Sequence, residues 1–474
     1  MEHSHGVIYK PETSKSLVDD LGQTLAASQY VRIYFVDLAN IRRCRVLPID
    51  YFLQLLQSNR PSINIGKVCL GLIYLIIAPG FSPIGEYLYV VDIATLRPCP
   101  YASGHVAVLG HFEEKTPVVS EDGVESVEVK LCPRTLLKRI VEDAQRTCDV
   151  QFLVGVEHEF ILLKSTNPIV PSHIHQWSTS EAILANSKEA IVMQEIMDSM
   201  KASGLSLQMM HAESAPGQYE IVSAPLTPMD AADTVIFTRE LIINIAAKHG
   251  LRATFAPRPF MTTAGSAAHV HISVHAGSGS GYNPKVPGTL STAEFSFLQG
   301  VLDHLPAMPA ITLPIPASYK RMTDGVWSGG TYICWGTENR EAPIRLTNVM
   351  SPESRNFELR LIDGTANPHL ALAAIIGAGV KGVKEKRALR IKDCPGPKVA
   401  AQMTEEERRA LGIIQRLPLS IEEARVAFEK DAVMREIVGE EFVEKYLLVN
   451  KTLGDVLTQD DSEEAQLTRL VELY

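Results

Sequence analysis

Three stretches of this chain each set two chemically active side chains two residues apart: Glu157 and Glu159 in GVEHEFILL, His269 and His271 in AHVHISV, Glu358 and Arg360 in FELRLID. On a strand, residues i and i+2 share a face. Glu157 and Glu159 would therefore point together, with His158 turned away. Like charges on a partly buried face are costly unless something cationic neutralises them. A fourth stretch, HAESAPGQYEIV, carries Glu213 and Glu220 around Pro216-Gly217, where a turn would direct both carboxylates to one point. Carboxylates with an imidazole and no thiolate suit a hard divalent cation, Mg²⁺ or Mn²⁺. Arg321, Arg340, Arg345, Arg355 and Arg360 crowd the same half of the chain, and guanidinium forks fit carboxylates and phosphates. Acids for metals beside arginines for anions are what phosphoryl transfer to a carboxylate requires.

Any one pair alone reads equally as a strand edge or a surface ion pair. Four together in one chain do not. Other schemes lack their residues: there is no G-x-x-x-x-G-K-[ST], H-E-x-x-H or G-x-S-x-G, so any ATP binds without a Walker loop.

The elements that must position these groups follow from pattern. Val31–Leu38 and Tyr87–Ile93 read as strands, Ser16–Ser28 as a helix before them, and the polar stretch Glu113–Lys130 as the end of a first domain. Pro133 suits the first turn of an amphipathic helix that leads into GVEHEFILL. Lys188–Ser203 and Asp230–Lys248 read as helices, Ala268–Val274 as a strand, and Thr404–Tyr474 as largely helical. The apolar run Val68–Ala78 is too short to cross a bilayer, which takes about 20 residues, and reads as a buried strand or a subunit interface. Gly277–Gly281 (GSGSG) reads as a surface turn. We divide the chain at residues 1–28, 29–131 and 132–474.

The 474 residues are 46% hydrophobic with a formal charge of −10, and the pI is near 5.8. That composition suits a globular protein and lacks the basic footprint of a nucleic-acid or anionic-membrane binder. Seven scattered cysteines without C-x-x-C argue against a disulfide framework or structural zinc. The opening residues show no basic region followed by an apolar one. The expectation is a cytoplasmic protein that acts on small molecules.

In order along the chain, V-E-H-E-F, H-A-E-S-A-P-G-Q-Y-E, H-V-H-I-S, S-Y-K-R, N-R-E-A-P-I-R and E-L-R-L-I-D-G-T-A-N-P-H-L resemble the type I glutamine synthetase family. G-V-W-S-G-G-T-Y-I-C-W-G-T-E-N-R looks most like its fungal group, which includes the C-terminal part of FluG. The resemblance implies an α+β fold: a β-grasp-like N-terminal domain, then a catalytic domain whose antiparallel sheet forms a funnel flanked by helices. It implies that Glu159, Glu213 and Glu220 hold one metal, and Glu157, His269 and Glu358 another. His271, Ser273, Arg345 and Arg355 would serve the nucleotide; Arg321, Arg340, Arg360 and Trp327 the acid and amine substrates; Arg345, Arg360 and Arg340 the catalytic charge. It further implies ATP as co-substrate, two or more Mg²⁺ or Mn²⁺ per site, and a large ring-shaped homo-oligomer with sites between subunits.

The chain also departs from that pattern. Asn64–Leu72, where those enzymes carry an acidic loop that binds ammonium, has no acid, and Trp327 stands where they have a flap glutamate. Glu353 and Asn356 replace basic residues near the nucleotide, and Ile391–Arg416 holds no counterpart of the adenylylated tyrosine loop. An ammonium pocket depends on negative charge. The resemblance with these departures implies a ligase joining glutamate to an amine other than free ammonium, through a γ-glutamyl phosphate. The rivals are a non-catalytic structural or developmental signalling protein, and a divergent true glutamine synthetase.

Overall fold

The computed structural model describes residues 8–12, 21–119, 123–277, 281–459 and 462–474. Of the expected N-terminal helix, Leu21–Ala26 is seen; its residues 16–20, like residues 278–280 of the glycine-serine turn, lie outside the described residues.

Two sheets carry the chain. The first is ordered Arg42–Pro48, Tyr30–Val36, His105–Val119, Glu86–Pro98, Ser62–Gly66, and Glu125–Glu128 pairs with His105–Val119. Its pairs are antiparallel except Tyr30–Val36 with His105–Val119. The polar stretch Glu113–Lys130 is therefore not a connector, because much of it is paired strand. The second sheet is built on Val150–Thr166 and runs Leu207–Ala212, Gln218–Ser223, Val150–Thr166, Val270–Ala276, Asn356–Leu359, Ile344–Thr347, Trp335–Thr337. Only its last pair is parallel.

The expected helices form close to their expected bounds: Pro133–Cys148 with proline in its first turn, Lys188–Ala202, and Pro228–Lys248 capped by Thr227. Helices also dominate the tail, from Glu405–Ala410 to Glu463–Leu473. Val68–Ala78 is not a buried strand. Its first half is a 3-10 turn, Lys67–Gly71, and its second half a small hairpin, Leu72–Ile73 with Ile76–Ile77, whose tip residue Leu75 is 93% exposed.

One apolar core runs from Ile33 and Phe112 of the first sheet through Val154 and Ile272 of the second to Val443 and Val471 of the tail. Helix Pro368–Lys384 crosses Thr292–His304 at backbone contact: a Cβ on Gly300 would lie 2.4 Å from the Ala378 carbonyl oxygen. Where the sheets meet, buried Arg134 donates to both oxygens of Asp233 at 2.9 and 2.8 Å and to Asp92 at 3.0 Å. His369 closes the cluster on Asp233 at 2.8 Å. Burial would raise Asp233, but Arg134 and His369 outweigh it and hold the carboxyl well below the usual range. No helix among the described residues is long and apolar enough to cross a membrane.

Candidate active site

Strand register assembles the acids. Glu220 pairs directly with Glu159, and His211 with Glu220. On the other side of the central strand, His271 pairs with Gly155 and also with Glu358, which in turn pairs with Arg345. Since Gly155, Glu157 and Glu159 share a face, one face of the sheet carries Glu157, Glu159, Glu220, His269, His271, Glu358 and Arg345. The turn joining Glu213 to Glu220 depends on Gly217 at φ +70°, where a Cβ would sit 2.5 Å from the Leu162 carbonyl oxygen.

A cleft of about 610 Å³ opens over this face. Glu157, Glu159, Glu213, Glu220 and His269 line one part of it, and Arg321, Arg340, Arg360 and Trp327 another. His271, Ser273, Glu358 and Arg345 lie behind that lining: Glu358 is fully buried, capped by Arg345 at 2.9 Å and by Arg360. Arg345 also reaches Glu338 at 2.7 Å. Ser273 Oγ bonds His275 Nε2 at 2.8 Å.

Arg355 corrects the expectation of a nucleotide contact. Its guanidinium is fully buried, donates to both oxygens of Glu294 at 3.0 and 2.7 Å, and spends its remaining donors on the carbonyls of Val286, Thr289 and Val349. No fork is left for a phosphate.

Three groups of side chains bring ligand atoms within 4.8 Å of one another: Glu157, His269 and Glu358; His211, Glu213 and Glu220; Glu157, Glu159 and Glu220. The first is the trio expected from sequence. The other expected trio is divided, because His211 binds Glu213 at 3.0 Å while Glu220 joins Glu159. His211 was legible: it stands two residues before Glu213, the same spacing as the other pairs, near the end of strand Leu207–Ala212. Gln218 was not; its amide holds Glu159 at 2.7 Å, with the Ala267 N–H on the same oxygen at 2.9 Å.

The donor set fits divalent cations on the structure's own terms. His269 uses Nδ1 on Glu157 at 2.7 Å, and its buried Nε2 has no partner. Burial and nearby Arg360 keep the imidazole neutral, the form that ligates metal. Glu220 is pushed up to about 10 by burial and by repulsion from Glu157, Glu159, Glu213 and Glu358. Glu159 is pushed up to about 8 by burial and by Glu213. Such concentrated negative charge is what a cation relieves. Burial would raise Glu157 too, but hydrogen bonds from His269 and His271 hold it well below the usual carboxylate range. His271, which links Glu157 at 3.0 Å to Asn356 at 2.9 Å, is raised to about 9 because that carboxylate outweighs burial.

One face of this sheet thus gathers acids, imidazoles and arginines over a single cleft. Residues 130–459 match the glutamine synthetase catalytic domain, and the chain belongs to the glutamine synthetase family. It is 36% identical to protein fluG of Emericella nidulans over 98% of its own length and 50% of fluG, so the chain spans about half of that relative. It is 33% identical to the gamma-glutamylpolyamine synthetase GlnA3 of Streptomyces coelicolor over 65% of this chain and 66% of that one. It is 30% identical to a glutamate–isopropylamine ligase of Pseudomonas sp over 88% and 89% of the two chains. The GmaS/ADP complex shares the fold, with a TM-score of 0.77, 23% identity, and coverage of 96% of this chain and 100% of that one.

Proposed function

We propose that this protein is an ATP- and Mg²⁺- or Mn²⁺-dependent carboxylate–amine ligase that joins glutamate to an amine other than free ammonium. The observation that carries this is the shared face: acids and a neutral imidazole with a free buried nitrogen converge in a cleft that arginines also line. The family membership and the similarity to a gamma-glutamylpolyamine synthetase and a glutamate–isopropylamine ligase support a γ-glutamyl amide as product.

Glu157, His269 and Glu358 would hold one cation, and Glu159, Glu220 and Glu213 another, with His211 giving up Glu213. The bound cations would neutralise the phosphate oxygens of ATP and of the transferring group. Arg321, Arg340 and Arg360 orient glutamate through its carboxylates; Arg340 is exposed and has no hydrogen bond or ion pair among the described residues. Arg345 stabilises charge on the phosphoryl group, and His271 and Ser273 border the nucleotide. A γ-carboxylate oxygen of glutamate attacks the terminal phosphorus of ATP, and ADP leaves. The amine lone pair then attacks the acyl carbon; the C–N bond forms, the C–O bond to phosphate breaks, and inorganic phosphate departs. An acceptor that arrives as R–NH₃⁺ releases two protons to solvent, one before and one after attack. Closure of the cleft keeps water from the acyl phosphate. As part of the same reading, the two sheets form two domains meeting at residues 131 and 132, and the exposed hairpin at Leu75 contacts a neighbouring subunit of a large ring.

ADP release that depends on both glutamate and an amine, with a γ-glutamyl amide in the product mixture, tests the reading. A non-catalytic assembly is the second reading, favoured by Asn356 and Glu353 at the nucleotide end; it is chosen if nucleotide neither binds nor turns over. Ammonium as the best acceptor selects a divergent true glutamine synthetase.

A further inference from the structure

The rim of the cleft is built unlike its floor. Trp177, Met209, Val326 and Trp327 line it, and Trp177, Met209 and Trp327 are 62%, 55% and 69% exposed. Neither tryptophan hangs loosely. Trp177 Nε1 donates to Glu213 at 3.3 Å, so the ring's polar edge is tied to an acid of the floor and its apolar face is left over.

Trp327 adopts φ +56°, a left-handed backbone that a bulky side chain tolerates only where its surroundings impose it. Here they do. Both oxygens of Glu341 accept backbone N–H bonds from this loop, one from Gly325 at 2.9 Å and one from Trp327. The Trp327 carbonyl accepts from Arg360 at 2.8 Å. Asp324, at the start of the loop, takes the Thr331 N–H at 2.9 Å. An indole held out of the core by a clamped, strained backbone has no packing role to explain it.

Charge narrows what this rim would take. The cleft's lining carboxylates are Glu157, Glu159, Glu213 and Glu220, all in the cation clusters, and Glu341 is occupied by the loop it clamps. The cleft's lining cations are Arg321, Arg340 and Arg360, and Arg360 touches the Trp327 loop. A second ammonium group would therefore meet guanidinium charge at the rim, and free ammonium has no apolar body to bury against the indoles. We propose that Trp177, Met209 and Trp327 form the acceptor pocket, and that it selects a primary amine with an uncharged alkyl or aryl body over both ammonium and polyamines. This rests on the ligase reading above.

The test uses the whole protein with ATP, Mg²⁺ and glutamate, and mass spectrometry of γ-glutamyl products. The acceptors are ammonium, the n-alkylamines from methyl to butyl, benzylamine, putrescine and spermidine, with hydroxylamine as a small nucleophile that needs no pocket. The expected kcat/KM rises about four-fold per methylene, with butylamine at least ten-fold above ammonium and above both polyamines. Trp327→Ala lowers the butylamine-to-hydroxylamine ratio of kcat/KM at least ten-fold, mainly through KM, while Trp327→Phe keeps most of it. A flat alkyl series, first rank for ammonium or a polyamine, or an unmoved ratio overturns the pocket, while γ-glutamyl hydroxamate formation shows the ligase intact. The wild-type series decides even if a variant fails to fold. Absence of hydroxamate and of ADP with every acceptor overturns the ligase reading, and the pocket with it.

Discussion

Replacing Glu220 by glutamine should strengthen the metal-free protein and remove its response at one of the two cation sites. Burial and four neighbouring carboxylates raise this group from an ordinary 4.5 to about 10. A carboxyl whose folded value lies above its unfolded value costs nothing below the unfolded value, and costs progressively more as pH rises toward the folded one. At pH 7.5 the gap of about three units corresponds to at most about 4 kcal/mol of lost stability. Glu159 is pushed up by the same cluster, so relief on removing one charge is shared, and about 1–4 kcal/mol is a fair range. A chain of 474 residues has an unfolding entropy of about 1 kcal/mol/K, so the variant should melt about 1–4 °C higher. The assay is calorimetry of the metal-stripped protein at pH 5.5 and 8, with and without Mg²⁺ or Mn²⁺. The wild type should gain about 3 °C from each cation at a hundred times its Kd, and the variant only the gain from the site of Glu157, His269 and Glu358. The advantage of the variant should shrink at pH 5.5. A variant that melts below the wild type at pH 8 without metal, or that gains as much from metal, would refute the assignment of this cluster.

Three further outcomes follow from named contacts. Arg345→Ala should lower turnover by about 10²–10³-fold with a stability change of about 1 kcal/mol or less, because Arg360 still covers Glu358; steady-state rates beside urea unfolding check both halves. Arg355→Met should destabilise by about 3–5 kcal/mol through the stranded Glu294, with part recovered in the double variant Arg355→Met and Glu294→Gln; loss of nucleotide affinity at unchanged stability would restore the nucleotide role. Asp233→Asn should cost about 2–4 kcal/mol by leaving buried Arg134 with Asp92 as its one charged partner. In the wild type the stability from Asp233 is present above its unfolded value of about 3.9 and is lost as pH falls toward the depressed folded value, so unfolding curves from pH 5 to 2 should fall more steeply for wild type than for the variant.

How far the sequence foretold this arrangement depended on the range of the interaction. Period-two spacing revealed the shared face of Glu157 with Glu159 and of His269 with His271, since a strand's alternation is local. It did not show that Glu220 would lie opposite Glu159 and Glu358 opposite His271, because register between distant strands is settled by turns and packing. The grouping of Glu159, Glu213 and Glu220 came instead from the resemblance, motif by motif. Arg355 and Arg345 look alike in sequence; burial against Glu294 separates them, and burial is a property of the whole fold. The exposed half of Val68–Ala78 misled in the same way, since an apolar run signals a covered surface without saying what covers it. The strands within Glu113–Lys130 were hidden in the same way, because charged strand residues at a solvated sheet edge share their composition with loops. The helices were easier, since Pro133 and Thr227 mark their starts within a few residues.

The central claim is that a γ-carboxylate oxygen of glutamate is phosphorylated on the way to the amide, and oxygen transfer tests it most directly. Glutamate labelled with ¹⁸O in the γ-carboxylate is turned over with ATP, Mg²⁺ and butylamine, and the inorganic phosphate is analysed by mass spectrometry. One ¹⁸O per phosphate, in step with amide formed, is the result predicted. Unlabelled phosphate accompanying ADP release would mean that ATP is hydrolysed by water, and would contradict the account.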